Sequence, residues 1–245
     1  MVFQMNSPEG KAILARVRRG DYAHPGEEEA IELISRGVER LDIHRVLDVG
    51  CGRGGTAAWF HRHNWGQVTG VDVDATSIDY ASKTYPGIEF IVSDVCRLNE
   101  LNVGPFDFVY LLNSFYAFPD QLRALQSIRS VCRAGSQLCI FDYARTRNAI
   151  APAALGSDIG NPIVLEDMPD WLTEAGWTMA GFEDCTEKYV VWYDALLAGF
   201  ERERDWINEN FGEDWRRYVL SWYGELRNAL ADRTLRGVVF KAIAG

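Results

Sequence analysis

The stretch Val46-Leu47-Asp48-Val49-Gly50-Cys51-Gly52-Arg53-Gly54-Gly55 decides the fold. Its short, mostly apolar run predicts a buried strand, and the glycines that follow predict a tight turn. Residues 54–64 then continue with a helical pattern. Glycines let the backbone pass close to a ligand, and the free N–H groups of a helix N-terminus suit a carboxylate or a phosphate. The stretch therefore predicts a strand–turn–helix unit with a ligand at the turn. A purely structural turn is the alternative.

The same alternation continues along the chain. We predict five strands with near-continuous apolar character, as in strands buried on both faces: 46–49, 68–71, 88–92, 106–112 and 138–141. Helices are predicted between them at 54–64, 75–84 and 120–133. Strands that alternate with helices imply a parallel sheet with right-handed crossovers. The predicted fold class is therefore α/β.

The flanking segments complete a single predicted domain over 1–245. Helices are expected at 9–19, 26–40 and 166–175, strands at 177–185 and 238–243, and a helical region at 187–231. Residues 147–163 are rich in Ala, Pro, Gly and Asn and are expected to form a connector. The predicted organisation is an N-terminal helical cap (1–40), a cofactor-binding core (41–145), a substrate-side region with a helical insertion (146–235) and a last strand (236–245).

Composition narrows the class of protein. The chain has 245 residues, with 25 Lys and Arg against 35 Asp and Glu, a net charge of −10. Such an acidic chain is not expected to bind nucleic acid or an anionic membrane surface. Five scattered cysteines, with no C-x-x-C pair, are typical of reduced thiols and favour a cytoplasmic protein without a zinc site. We expect no metal, no membrane span, and a monomer or a homodimer.

Acidic residues at strand ends point to a nucleoside ligand. Asp72 ends the second strand twenty residues after Gly52, where a carboxylate can accept hydrogen bonds from ribose hydroxyls. This pattern fits a dinucleotide or S-adenosylmethionine. Asp48 would repel a pyrophosphate but attract an aminoacyl ammonium. Asp94 ends the third strand, where its carboxylate can accept from an adenine amine while the N–H of Val95 donates to a ring nitrogen. The positions of Asp48 and of Asp94 with Val95 favour S-adenosylmethionine over a dinucleotide.

These motifs, with Phe106-Asp107-Phe108-Val109, resemble the class I S-adenosylmethionine-dependent methyltransferases over about residues 40–145. The resemblance implies a three-layer Rossmann-like sheet in the order 3-2-1-4-5-7-6, with the last strand antiparallel. It implies that Gly50 and Gly52 meet the methionine part, and that Asn113 faces the methyl group. The cofactor-binding residues that we predict are Tyr22, Asp48, Gly50, Cys51, Gly52, Asp72, Val73, Asp94, Val95 and Asn113.

A narrower resemblance covers the flanks. The segment 20–26, the strand end Phe141-Asp142-Tyr143 and the Trp- and Tyr-rich helices look like small-molecule N-methyltransferases of the phosphoethanolamine type. That group has a histidine shortly after the fourth strand, paired with a tyrosine near the N-terminus. Residues 113–118 contain no histidine, so that catalytic pair is not carried over.

Aromatic residues supply the substrate candidates. Six of the eight tryptophans follow residue 170, and an aromatic stripe runs through 187–223. Aromatic walls can hold an apolar or cationic acceptor. The candidates are Tyr116, Tyr143, Trp192, Tyr193, Trp222 and Tyr223. The candidate general bases are Tyr22, His24 and Tyr116.

Each candidate also has a structural alternative. Tyr22 and the aromatic stripe can be core, Asp94 a turn cap, and His24 a surface loop residue. The acidic run Glu27-Glu28-Glu29 is expected to be a solvated helix face.

The function predicted from these features is methyl transfer from S-adenosylmethionine to a small molecule, an amine, hydroxyl or activated carbon, with S-adenosylhomocysteine as the product. A non-catalytic S-adenosylmethionine-binding module, a methyltransferase acting on a protein and a nicotinamide dehydrogenase remain alternatives.

Overall fold

The computed structural model describes residues 3–40, 43–150, 152, 155 and 158–245. Residues 41 and 42, next to the predicted boundary between residues 40 and 41, lie outside these ranges. So do residues 151, 153, 154, 156 and 157 of the predicted connector. The described strands are β1 (Arg45–Val49), β2 (Gln67–Asp72), β3 (Glu89–Val92), β4 (Phe106–Leu112), β5 (Cys132–Arg145), β6 (Ile163–Val164), β7 (Trp177–Asp184) and β8 (Arg236–Ala244).

The strands form one sheet in the order β3-β2-β1-β4-β5-β8-β7, and the short β6 pairs with the end of β5. The pairs from β3 to β5 are parallel, whereas β8 runs antiparallel to both β5 and β7. The predicted order 3-2-1-4-5-7-6 is confirmed, because the additional strand β6 only shifts the numbers of the last two strands to 7 and 8. The antiparallel last strand is also confirmed. Because β1 lies between β2 and β4, the turn after β1 stands at the centre of the carboxyl edge.

Helices cover both faces of the sheet. They are α1 (Pro8–Arg18), α2 (Glu27–Ser35), α3 (Gly55–Arg62), α4 (Ala75–Thr84), α5 (Gln121–Ser130), α6 (Met168–Glu174), α7 (Thr186–Arg202), α8 (Arg204–Phe211) and α9 (Glu213–Ala231). One core joins the sheet to α1–α3 and α7–α9, and a second core joins it to α5 and α6. The N-terminal cap and the insertion before β8 therefore share one face.

Several elements differ from the prediction, among them α2 and α5, which end at Ser35 and Ser130 rather than at residues 40 and 133. The helical region 187–231 is three helices, because the chain turns at Glu203 and again at Gly212, whose φ of 92° favours glycine. Strand β5 begins six residues before the predicted start, through polar and partly exposed residues that carry no apolar signal. Strand β6 has only two residues, too few for a periodic pattern.

Throughout the described ranges, every helix is either too short or too polar to span a bilayer.

Candidate cofactor site and acceptor side

The turn after β1 lets a ligand come close to its backbone. Gly50 and Gly52 have φ angles of 75° and 51°, which favour glycine. The N–H groups of Gly50 and Cys51 donate to the carbonyl of Val71 at 2.8 and 3.0 Å, which draws the turn over the end of β2. A Cβ at Gly50 would lie 2.4 Å from the Cβ of Ser114, whereas one at Gly52 would meet no described atom within 4 Å. The turn is thus packed on one side and open on the other.

Asp72 fixes the open side of the turn. One carboxylate oxygen accepts from the N–H of Gly52 at 2.8 Å, and the other accepts from the N–H of Asp74 at 2.9 Å. Each oxygen keeps lone-pair capacity for a further donor. The neighbouring Val73 is 74% exposed, an apolar side chain beside this carboxylate. A half-buried acid next to an exposed apolar residue suits a ribose and its flat base.

Asp94 and Val95 follow β3, the neighbour of β2. Asp94 is exposed and accepts from the N–H of Cys96 at 2.9 Å, so it does cap the next turn, a short 3-10 helix. Val95 is buried. The backbone of Ser93 donates to the carbonyl of Asp72 at 2.9 Å, which places the two strand ends side by side. The capping role leaves the second carboxylate oxygen of Asp94 available.

Two side chains near the turn have unsatisfied polar atoms. Asp48 is buried on β1, and burial raises its pKa to about 8. Asn113, with a φ of 50°, follows β4, and its side-chain oxygen accepts from the hydroxyl of Tyr189 at 3.2 Å. Within the described part of the chain, Oδ2 of Asp48 and Nδ2 of Asn113 are buried without a hydrogen-bond partner. Leaving such atoms unpaired is costly. This donor and acceptor set fits the aminoacyl end of S-adenosylmethionine.

Cys51 lies in the turn as a buried thiol. Burial raises its pKa well above the ordinary value, so the thiolate is disfavoured. Its contribution to the site is therefore its backbone.

The N-terminal cap places Tyr22 and His24 in the core. The Tyr22 hydroxyl donates to Glu28 at 3.1 Å, and burial raises the pKa of Tyr22 to about 12. His24 is buried, with Nε2 3.0 Å from the hydroxyl oxygen of Thr56 and Nδ1 3.2 Å from the carbonyl of Pro25. Burial lowers the pKa of His24 to about 3. Because both ring nitrogens are engaged, His24 does not fit the general base expected from the sequence, and the surface-loop alternative is wrong.

The acidic run at the start of α2 is solvated as predicted, since Glu28 and Glu29 are exposed and Glu27 is half-buried, but each of its side chains also has a partner. Glu27 pairs with the guanidinium of Arg18, and Glu28 accepts from Tyr22. Glu29 accepts from Nε1 of Trp192 at 2.8 Å. The run thus also attaches α2 to α1 and α7.

Several predicted substrate residues meet in one group. We use tyrosine cluster for five side chains near the ends of β4 and β5 and on α7 and α9: Tyr116, Tyr143, Tyr189, Tyr193 and Tyr223. The hydroxyls of Tyr143 and Tyr193 form a hydrogen bond. The ring of Tyr143 contacts those of Tyr116 and Tyr189 edge-on, with centroids 5.2 and 5.7 Å apart. Tyr193 stacks on Tyr223 at 5.7 Å.

Trp192 and Trp222 border the cluster as core residues. Trp192 lies 5.9 Å from the ring of Tyr189, and Trp222 packs edge-on against Tyr223 at 4.8 Å. Tyr116 is the cluster member that keeps partial exposure, and burial raises its pKa above the ordinary value. A neutral tyrosine at this position can donate and accept hydrogen bonds, and the raised pKa disfavours the phenolate that a general base needs.

Sequence reasoning did not single out Tyr189, Asp142 or Arg18 as candidates, although Tyr189 lies in the aromatic stripe and Asp142 in the quoted strand end. Tyr189 is four residues before Tyr193 on α7, so the helical period would have placed it on the same face. The importance of Asp142 and Arg18 depends on contacts between distant segments, which local patterns do not show.

Asp142 holds the segment after β4 in place. It is fully buried at the end of β5, where it accepts from the N–H groups of Phe115 and Tyr143, each at 2.7 Å. Burial raises its pKa to about 7, although these N–H groups oppose the rise. Ser114 donates to the carbonyl of Val49 at 2.7 Å, which ties the same segment to β1. Asn113 is thereby fixed between the turn and the tyrosine cluster, to which Tyr116 belongs.

Comparison with known proteins agrees with this arrangement. A family model described as a methyltransferase domain matches residues 47–140. The phosphoethanolamine N-methyltransferase of Triticum aestivum is 26% identical over 215 residues, which cover 82% of this chain and 42% of that protein. An O-methyltransferase of Pyrenophora dematioidea is 31% identical over 172 residues, covering 61% of this chain and 64% of that protein. The chain thus spans less than half of the plant relative.

A solved structure shares the fold at low identity. Phosphoethanolamine N-methyltransferase 2 of Haemonchus contortus, in complex with phosphomonomethylethanolamine and S-adenosylhomocysteine, superposes with a TM-score of 0.86. It is 17% identical, and the match covers 96% of this chain and 57% of that one. In the matched domain, the sheet order and the glycine turn joined to Asp72, this chain is similar to the class I S-adenosylmethionine-dependent methyltransferases, with a narrower resemblance to the phosphoethanolamine type.

Proposed function

We propose that this chain transfers a methyl group from S-adenosylmethionine to a small-molecule acceptor and releases S-adenosylhomocysteine. The observation that carries the proposal is the hydrogen bond from Gly52 to Asp72, which sets a carboxylate suited to a ribose against an open glycine turn. When bound, S-adenosylmethionine supplies an electrophilic methyl group on a sulfonium.

Different residues would hold the different parts of the cofactor. Asp72 and Val73 suit the ribose and the base, and Asp94 with the N–H of Val95 suits the adenine edge. The backbone of Gly50 and Gly52, with the unpaired atoms of Asp48 and Asn113, suits the aminoacyl end. An ammonium beside Asp48 would lower the pKa of this carboxyl from its raised value, because opposite charges favour ionisation.

The tyrosine cluster and its tryptophan neighbours would form the acceptor side. Their role would be to orient the acceptor and exclude water, since alignment is the main contribution to such a displacement. Tyr116 is the candidate for relaying a proton through its hydroxyl, because it is partly exposed and follows Asn113 closely. The aromatic faces favour an apolar or cationic acceptor.

We also propose that residues 1–245 work as one domain in the cytoplasm, as a monomer or homodimer. The cysteines form no disulfide within the described ranges, which agrees with a reducing compartment.

The test measures S-adenosylhomocysteine formation by mass spectrometry with a panel of amines, phenols and activated carbons. Turnover with at least one acceptor, lost in Asp72→Ala, supports the proposal. Binding of S-adenosylmethionine without turnover on any acceptor would favour the non-catalytic module. Turnover confined to protein acceptors would favour a methyltransferase that acts on a protein.

A further inference from the structure

A cavity of about 800 Å³ lies where β5 and β6 end, beside the helices α5 and α6. Its volume is in the range of small-molecule sites, which is about 300–1,000 Å³. None of the described residues that line it belongs to the proposed cofactor site or to the tyrosine cluster. The cavity is thus a separate space that is large enough for a small organic molecule.

The walls of the cavity are largely apolar. Ile150 is 85% exposed, the largest exposed fraction among the big apolar side chains of the described ranges. Apolar walls favour a ligand that removes apolar surface from water, and aromatic rings add stacking partners. The apolar lining residues are Phe118, Leu122, Ile150, Pro162, Val164 and Trp171. The cavity therefore suits a ligand with an apolar or aromatic body.

The charged groups of the cavity are more basic than the chain, whose net charge is −10. The described lining includes Arg145, Arg147 and Asp120. Arg147 pairs with Asp167 at 2.6 Å, and Asp120 accepts from the N–H of Arg123 at 3.0 Å as the cap of α5. Among the described residues, Arg145 contacts carbonyl oxygens and forms no ion pair. Arg145 is thus a cation of the cavity wall that lacks a counter-ion there.

The turn after β5 holds the guanidinium of Arg145 through one nitrogen. Nη1 donates to the carbonyls of Thr146, Arg147 and Ala149, at 3.3, 3.1 and 3.1 Å. Nε and Nη2 have no hydrogen-bond partner in the described part of the chain, and the residue is partly exposed. These two nitrogens form the edge of a guanidinium that can donate two parallel hydrogen bonds to a carboxylate. Arg145 is therefore fixed in place with a carboxylate-binding edge unused.

A layer of backbone lies between the cavity and the tyrosine cluster. Asn161, which lines the cavity, donates its N–H to the carbonyl of Tyr116 at 2.6 Å. Nε2 of Gln121 donates to the carbonyls of Phe115 and Asn161 at 3.0 and 2.7 Å. A Cβ at Gly160 would lie 2.6 Å from the carbonyl oxygen of Tyr116, so the two segments are in close contact. The cavity and the tyrosine cluster therefore share a wall.

We infer that this cavity is a second ligand site, which takes an organic carboxylate with an apolar or aromatic body. The carboxylate binds the Nε and Nη2 edge of Arg145, and the body lies against the apolar walls. Asp120 opposes an anion, but its charge is partly offset by the positive end of the α5 dipole. The inference goes beyond methyl transfer and does not depend on it, since the site holds neither the cofactor nor the methyl acceptor.

The probes for the test are 2-naphthylacetate and 2-naphthylacetamide, which have the same aromatic body and differ in the charge of the end group. Calorimetry at about pH 7, where the acid is ionised, gives the two affinities. The titrations are done with and without S-adenosylhomocysteine, so that binding of a probe in the cofactor site would be detected as competition. We expect wild type to bind the acid at least about tenfold more tightly than the amide, without competition.

Arg145→Gln removes the charge and should bring the ratio of the two affinities to about one. Arg217→Gln is the matched control, because Arg217 is an exposed arginine on α9 outside the cavity, and it should leave the ratio unchanged.

A second variant keeps Arg145, because loss of Nη1 could also loosen the turn. Leu122→Trp narrows the cavity and should weaken both probes by about tenfold or more. Its control is Leu220→Trp, at a partly buried leucine on α9, which should weaken neither. Circular dichroism should show that all four variants are folded.

The inference is overturned if wild type binds neither probe at millimolar concentration, or binds the acid and the amide equally. It is also overturned if Arg145→Gln keeps the preference, if Leu122→Trp leaves binding unchanged, or if S-adenosylhomocysteine displaces the acid. Failure of the proposed function would appear separately, as wild type that methylates no acceptor, and would leave these titrations unaffected.

Discussion

Replacement of Asp72 by alanine is the perturbation whose effect the structure defines best. Its two carboxylate oxygens accept from Gly52 and Asp74, and we propose that both also accept from ribose hydroxyls. A hydrogen bond to a charged group contributes about 1.5–3 kcal/mol, so losing two costs about 3 kcal/mol at least. At 1.4 kcal/mol per factor of ten, this corresponds to an approximately hundredfold rise in Kd.

The assay is calorimetric titration of the Asp72→Ala variant with S-adenosylmethionine and S-adenosylhomocysteine. Asp79→Ala is the control, because Asp79 is an exposed carboxylate on the adjacent α4, paired with Lys83. Circular dichroism should show that both variants are folded. A Kd for Asp72→Ala within about threefold of wild type would refute the assignment of Asp72 to the ribose.

Further predictions concern the turn, the buried carboxylate and the cap. Gly50→Ala should lower the free energy of unfolding by about 1–3 kcal/mol more than Gly135→Ala, measured by urea denaturation. Both glycines have positive φ, but a Cβ at Gly50 would strike Ser114 whereas one at Gly135 meets no described atom, so equal losses would contradict the packing argument. Burial raises the pKa of Asp48 from 3.8 to about 8, so its contribution to stability is present below pH 3.8 and is lost as the pH rises toward 8. Asp48→Asn should therefore stabilise the cofactor-free protein more at pH 8 than at pH 5. If the difference in free energy of unfolding between variant and wild type does not change with pH, the raised pKa of Asp48 is contradicted. His24→Gln should lower Tm yet leave the affinity for S-adenosylhomocysteine nearly unchanged. A large loss of affinity would show that His24 belongs to the cofactor site.

The sequence predicted the cofactor half of the fold well, for a physical reason. Strands buried on both faces must be apolar, so β1, β2 and β4 stand out in the sequence. Asp72 and Asp94 are recognisable because Asp72 ends β2 and Asp94 comes two residues after β3, where parallel strand ends meet at one edge. Strand β3 itself is an edge strand and only partly buried, contrary to the prediction that it is buried on both faces. The extended β5 and the two-residue β6 carry no such pattern, since partly exposed and very short strands need no apolar run.

The acceptor side was less predictable, because it depends on contacts between distant parts of the chain. His24 looked available in a Gly- and Pro-containing loop, but its surroundings come from Thr56, 32 residues away. Glu27 looked solvated in an acidic run, although it pairs with a buried arginine nine residues before it. Tyr143 and Tyr193 were both candidates, yet only the packed structure shows their hydroxyls joined.

A crystal structure with S-adenosylhomocysteine tests the central claim most directly. We expect the ribose hydroxyls within hydrogen-bond distance of Asp72, the aminoacyl end at Gly50 and Gly52, and the thioether sulfur facing the tyrosine cluster past Asn113. A ligand bound elsewhere, or a ribose that does not contact Asp72, would contradict the account.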